Sequence, residues 1–138
     1  MRLLILPVAA LVGLVVGCNK SPEGGTPGSN ASFQLSLPTS ELAFAKPIKQ
    51  GTSEMFEGSV VRASEFKKDV KIKVDGPDKL KVKVSPDSVK ASDGSTKFNV
   101  TVEADKDTPV GEHTIKVTGT PDGGSATTGE FKVKVTAP

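Results

Sequence analysis

The chain has 138 residues, which allows one ordinary domain. Eighteen basic residues against 16 acidic ones give a formal charge of +2, and Arg2 is the only charged residue before position 18, so the rest carries +1. That is far from the strongly basic footprint of a nucleic-acid binder, so no nucleic-acid partner is expected. One cysteine, one histidine, no tryptophan and no tyrosine exclude an intramolecular disulfide and a His/Cys-rich metal site, and leave His113 as the sole candidate for a histidine-based catalytic pair.

Met1-Arg2 supplies a positive charge, and Leu3 to Val16 is almost wholly apolar, broken only by Pro7 and Gly13. This run of about 14 residues fits the core of a secretory signal and falls short of the roughly 18 needed to span a bilayer. It ends in Val15-Val16-Gly17-Cys18, which resembles the lipobox of bacterial lipoproteins, with valine at −3 where leucine is commonest. The resemblance implies cleavage between Gly17 and Cys18, acylation of the Cys18 thiol, and a lipid anchor in a bacterial envelope membrane. Asn19 follows the cysteine; in a Gram-negative envelope its resemblance to the sorting pattern favours the outer membrane. The competing reading is an ordinary secretory signal with an incidental cysteine. Against it, Cys18 is the only cysteine and sits directly after the apolar core.

Residues 18–32 are rich in glycine, serine and proline and lack apolar periodicity, which predicts a flexible tether holding the domain roughly 20 Å from the membrane. With residues 1–17 as the signal, the folded domain is expected over 33–138. Its first strand alternates Phe33, Leu35 and Leu37, and a second short one is marked by Leu42 and Phe44 and closed by Pro47. Met55 to Arg62 is a third, with Phe56 and Val60 on one face and Met55 and Val61 on the other. Val70-Ile72-Val74, Leu80-Val82-Val84, Phe98-Val100-Val102, Ile115-Val117 and Phe131-Val133-Val135 repeat the period of two that marks a sheet with one buried face. Asp75-Gly76-Pro77-Asp78 is suited to a hairpin turn. Ser92-Asp93-Gly94-Ser95, Thr108-Pro109-Val110-Gly111 and Pro121-Asp122-Gly123-Gly124 break the remaining strands. No stretch has the period of a helix. Seven or eight short strands predict an all-β antiparallel sandwich, expected to be monomeric.

The segments Gln50-Gly51-Thr52-Ser53, Val70-Lys71-Ile72-Lys73-Val74 and Thr108-Pro109-Val110-Gly111-Glu112-His113-Thr114-Ile115 resemble bacterial immunoglobulin-like modules, a group related in fold to fibronectin III domains. Such modules occur in envelope proteins and beside glycoside hydrolases. The family usually opens its penultimate strand with Gly-x-Tyr, whose hydroxyl ties a corner of the sandwich. This chain has Gly111-Glu112-His113, so either a ring nitrogen of His113 makes the same tie or the corner is looser.

The residues permit little chemistry. His113 falls on an inward face and is read as a corner residue; no catalytic residue, metal ligand or cofactor is assigned. Asp105-Lys106-Asp107 and Asp75 to Asp78 offer oxygens to calcium but lack the ligand density of a calcium loop. Sugar stacking normally uses tryptophan or tyrosine. Phe33, Phe44, Phe56, Phe98 and Phe131 are assigned to the core, leaving Phe66 as the one exposed ring. The positive surface feature is lysine: Lys71 and Lys73 alternate with core residues on one strand, and Lys79, Lys81 and Lys83 on the next. If Asp75 to Asp78 forms a hairpin, all five share a face, joined by Lys67, Lys68 and Lys90. Two functions then stand side by side. One is a non-catalytic interaction or structural module, meeting an envelope protein or polymer. The other binds an anionic polymer or headgroup through the lysine face. Against the second, lysines on outer strands also serve simply to prevent aggregation.

Overall fold

The computed structural model describes residues 19–91 and 96–138. The expected export signal with Gly17 and Cys18, and the turn expected at Ser92 to Ser95, lie outside the described residues. In chain order the elements are β1 (Asn19–Lys20), β2 (Gly24–Gly25), β3 (Ser32–Leu37), α1 (Ser40–Phe44), β4 (Ile48–Lys49), β5 (Ser53–Arg62), β6 (Val70–Asp75), β7 (Leu80–Ser85), β8 (Ser88–Val89), β9 (Lys97–Ala104), β10 (Gly111–Pro121) and β11 (Thr127–Thr136). Among the described residues, the seven long strands are β3, β5, β6, β7, β9, β10 and β11.

These strands form two sheets, one ordered β1–β3–β5–β9–β7 and the other β4–β11–β10–β6–β8, with β2 also on β3. Neighbours are antiparallel except β4 and β11, which run parallel with Ile48 opposite Val135. The order β3–β5–β9–β7 over β11–β10–β6 is the four-over-three arrangement of a constant-type immunoglobulin sandwich. The fold is therefore an all-β, immunoglobulin-like sandwich.

Alternation explains the layers. Val70 and Ile72 are buried while Lys71 and Lys73 between them are exposed. Phe98, Val100, Val102 and Ala104 of β9 turn inward together, facing Ile115 and Val117 of β10 and Phe131, Val133 and Val135 of β11. Phe56 meets Phe131 across the sheets, ring centroids 5.7 Å apart and tilted by 53°. An aromatic pair in this geometry adds about 0.5–1.5 kcal/mol beyond its area burial.

Three expectations are corrected. The second strand is instead the short helix α1. Thr39 caps it, its hydroxyl accepting from the Leu42 N–H at 3.3 Å, and Pro47 follows two residues after the C-cap Ala45. Residues two apart share a face in a strand but lie about 200° apart in a helix. Accordingly Ala43 is buried, Phe44 is half-buried instead of core, and Leu42 is 65% exposed.

Phe66 is not an exposed ring. It is buried 4.8 Å (centroid to centroid) from Phe33, with the Arg62 guanidinium 5.2 Å above it. That guanidinium donates to the Lys68 carbonyl and, at 3.0 Å, to that of Val89. Burial pushes the Arg62 pKa down, opposed by Asp69.

The described part of the expected tether is not free chain. Asn19 and Lys20 pair with Leu37 and Ser36, and Gly24 and Gly25 pair with Phe33 and Ser32. Between them the Ser21 N–H donates to the Leu35 carbonyl at 2.9 Å, and the Leu35 N–H donates to Ser21 Oγ at 2.8 Å. The same segment crosses to the second sheet: Thr127 Oγ1 donates to the Pro22 carbonyl at 2.7 Å, and Gly25 exchanges two backbone bonds with Ser125. Residues 19–25 are thus a strap closing one edge of the sandwich. Its glycine content reflects close approach. A Cβ at Gly24 would lie 2.6 Å from the Phe33 ring, and Gly25 has a φ of +76°.

Ser21→Ala is expected to destabilise a chain starting at residue 19 by about 1–3 kcal/mol, because the Leu35 N–H loses its acceptor in a buried setting. Urea unfolding measures this, and Gly24→Ala should lower the midpoint as well. A flexible tether would leave the midpoint unmoved in both.

Candidate functional site

The lysines do not gather on one face. Residues 75 to 78 carry the chain from β6 in one sheet to β7 in the other, so they form a crossing between sheets and not a hairpin. Lys71 and Lys73 project from the outer surface of the second sheet, and Lys81 and Lys83 from the outer surface of the first. The two surfaces face away from each other. Lys67, Lys68 and Lys90 are exposed in segments flanking β6 and β8.

Acidic groups also sit among the lysines. Lys79 Nζ lies 3.3 Å from Asp107, and Lys81 Nζ lies 3.7 Å from Asp105. Lys81 stands opposite Glu103 in the β7–β9 register. On the other surface, Glu112 stands opposite Lys134, and Lys116 stands between Asp75 and Glu130. Opposite charges in cross-strand positions stabilise a sheet modestly and leave no uniform field for an anion. The Asp107 carboxyl is held below its ordinary range, first by its own backbone N–H and then by Lys79. Among the described residues, no three His, Cys, Asp or Glu side chains converge to hold a metal ion.

His113 does make the corner tie. It is half-buried at the start of β10, and Nε2 lies 2.7 Å from the Pro109 carbonyl, the acceptor in a bond the ring N–H donates. Two of the segments that carry the family resemblance, Gln50 to Ser53 and Thr108 to Ile115, meet at this end of the sandwich. Gln50 Nε2 donates to the Thr108 carbonyl at 2.6 Å, while the fully buried Thr108 donates its hydroxyl to the Lys79 carbonyl at 2.7 Å.

The feature that sequence reasoning missed lies where β3 leaves its sheet. β3 ends at Leu37, level with the middle of β5, and α1 then carries the chain to β4 in the opposite sheet. The departure opens a groove of about 420 Å³ beside α1, lined by Pro38, Leu42, Met55, Gly58 and Lys97 among others. Leu42 and Met55 are 65% and 50% exposed, and both line this groove. Lys46 arches over the Phe56 ring at 5.4 Å and reaches Glu54 at 3.9 Å, while Lys97 pairs with Glu57 at 3.2 Å. The strap begins at this place: Asn19 Nδ2 donates to the Pro38 carbonyl at 3.3 Å and to the Glu130 carbonyl. No sequence signal marks the groove, because Leu42 has the pattern of a strand and residues 19–25 have the composition of a tether.

No protein-family model and no curated protein matches the chain. Solved structures that are similar over part of it include two of one surface-layer protein. Domains 4 and 5 of the S-layer protein SbsC share 20% identity over 66% of this chain and 45% of that one, with a TM-score of 0.40. Domains 1–6 of the surface-layer protein SbsC share 19% identity over 67% of this chain and 12% of that one, with a TM-score of 0.44. The chain spans less than half the length of either.

His113→Phe is expected to cost about 0.5–1.5 kcal/mol in urea unfolding, the net worth of one hydrogen bond. Because the lysines stand on opposite sheets, the stability changes of Lys71→Gln with Lys73→Gln and of Lys81→Gln with Lys83→Gln should add within about 0.3–0.5 kcal/mol. Coupling beyond that range between the two sets would contradict the separation of the two surfaces.

Proposed function

We propose that the chain is an exported lipoprotein of a bacterial cell envelope, anchored by acylated Cys18, whose immunoglobulin-like sandwich is a non-catalytic interaction or structural module. The observation that carries this reading is the pairing of the residue next to the lipobox cysteine. Asn19 immediately follows the lipobox cysteine and is already paired with Leu37 in β1. Cleavage between Gly17 and Cys18 would therefore release a chain whose lipid-bearing first residue abuts the folded domain. Asn19 at the second position of that chain favours delivery to the outer membrane where the envelope has one. The membrane is the first partner, and an envelope protein or polymer meets the rest of the surface. The anionic-polymer reading is not retained, because the two lysine sets point away from each other and acidic side chains lie among them.

Expressed in a bacterium with residues 1–17 intact, the chain is expected to enter the detergent phase on Triton X-114 partitioning. Its N-terminal peptide should show the mass of an acylated cysteine. Cys18→Ser should move the protein to the aqueous phase or leave it unprocessed. An unmodified, water-soluble wild type would overturn the lipoprotein reading.

A further inference from the structure

We infer that the α1 groove and the strap's origin form a membrane-apposed face, so that the sandwich lies directly on the lipid headgroups with Leu42 and Met55 against the bilayer surface. This rests on the anchoring of Cys18 proposed above and specifies how the anchored domain is oriented.

The first argument is reach. A free segment of about 14 residues would let the domain wander roughly 20 Å from its anchor. The strap removes that freedom, since Asn19, Ser21, Gly24 and Gly25 are all bonded into the sandwich edge. Only one peptide unit, about 3.8 Å between Cα atoms, separates Asn19 from Cys18. Acyl chains on Cys18 must enter the bilayer, so the surface around Asn19 is drawn to the headgroups with them.

The second argument is what that surface offers. Asn19 is bonded to Pro38, and Pro38 lines the same groove as Leu42 and Met55. Among the described residues the exposed large hydrophobics are Leu42, Met55, Val61 and Val110, and two of those four are here. Lys46 and Lys97 line the same groove, with stems that can lie along apolar surface while the ammonium reaches a phosphate. Lys46 and Lys97 are paired with Glu54 and Glu57, which limits the purely electrostatic share. The attraction is therefore set by the anchor and the apolar pair and should survive added salt.

Met55 and Lys97 of the groove belong to the first sheet, and the outer surface of the second sheet, which carries Lys73 on β6, faces away from it. The natural chain has no tryptophan, so a single introduced one reports its own surroundings without interference. The test uses full-length protein, processed in a bacterium and reconstituted into vesicles of phosphatidylethanolamine and phosphatidylglycerol whose acyl chains are brominated near the headgroup. Leu42→Trp and Met55→Trp should each lose most of their emission to bromine, at low and at moderate salt. Lys73→Trp, exposed on the outer surface of the second sheet, should keep its emission. If the protein floats with the vesicles but Trp at 42 and 55 stays bright, the apposed face is wrong and the anchor stands. Equal quenching at all three positions also overturns it, since no single face would then be in contact. If the protein fails to float and its cysteine is unmodified, the anchor reading falls and this orientation falls with it.

Discussion

Leu35 is the residue on which the arrangement turns. Its side chain is fully buried between the sheets, and its backbone lies on a strand that would otherwise form the edge of the sandwich. A buried N–H without a partner costs about 1–3 kcal/mol, and an open edge invites pairing with another chain. Ser21 answers both demands, giving its Oγ to the Leu35 N–H and its own N–H to the Leu35 carbonyl. Once Ser21 is held there, residues 19–25 must run along β3, and the Asn19 end of the strap is fixed against the sandwich.

That fixed end gives an otherwise common sandwich an orientation. Immunoglobulin-like modules present several loops and faces of comparable standing, and fold alone does not rank them. Here the strap, the departure of β3 and the short helix α1 converge on one region. The two lysine-bearing surfaces have mixed charge and point away from one another. In the proposed orientation, with the membrane on the strap side, the outer surface of the second sheet is the one left facing away from it.

Two local features show how composition and geometry part company. Glycine and serine in residues 19–25 suggest a linker because both are common where chains are free. The same residues suit a strap that must pass within van der Waals distance of Phe33, where any larger side chain would collide. Lysines alternating along β6 and β7 suggest one face only if the intervening turn is a hairpin, and the crossing between sheets divides them.

The sequence by itself determined the strands and their buried faces, because a period of two in apolar residues leaves few alternatives when water is on one side. The resemblance to immunoglobulin-like modules placed His113 at a corner where a tie or a looser packing stood open, and the bond between Nε2 and the Pro109 carbonyl decided it. Tertiary structure decided what depends on contacts between distant residues. Whether Leu42 and Phe44 form a strand or a helix was settled by Thr39 capping and by Ala43 packing in the core. Whether Phe66 is wet or buried was settled by Phe33 and Arg62. Whether residues 19–25 are tether or strap was settled by the unpaired edge of β3, a need that exists only after the sheets have formed. Local pattern encodes which side of a strand meets water, whereas strand order and edge closure arise from pairings far apart in the chain.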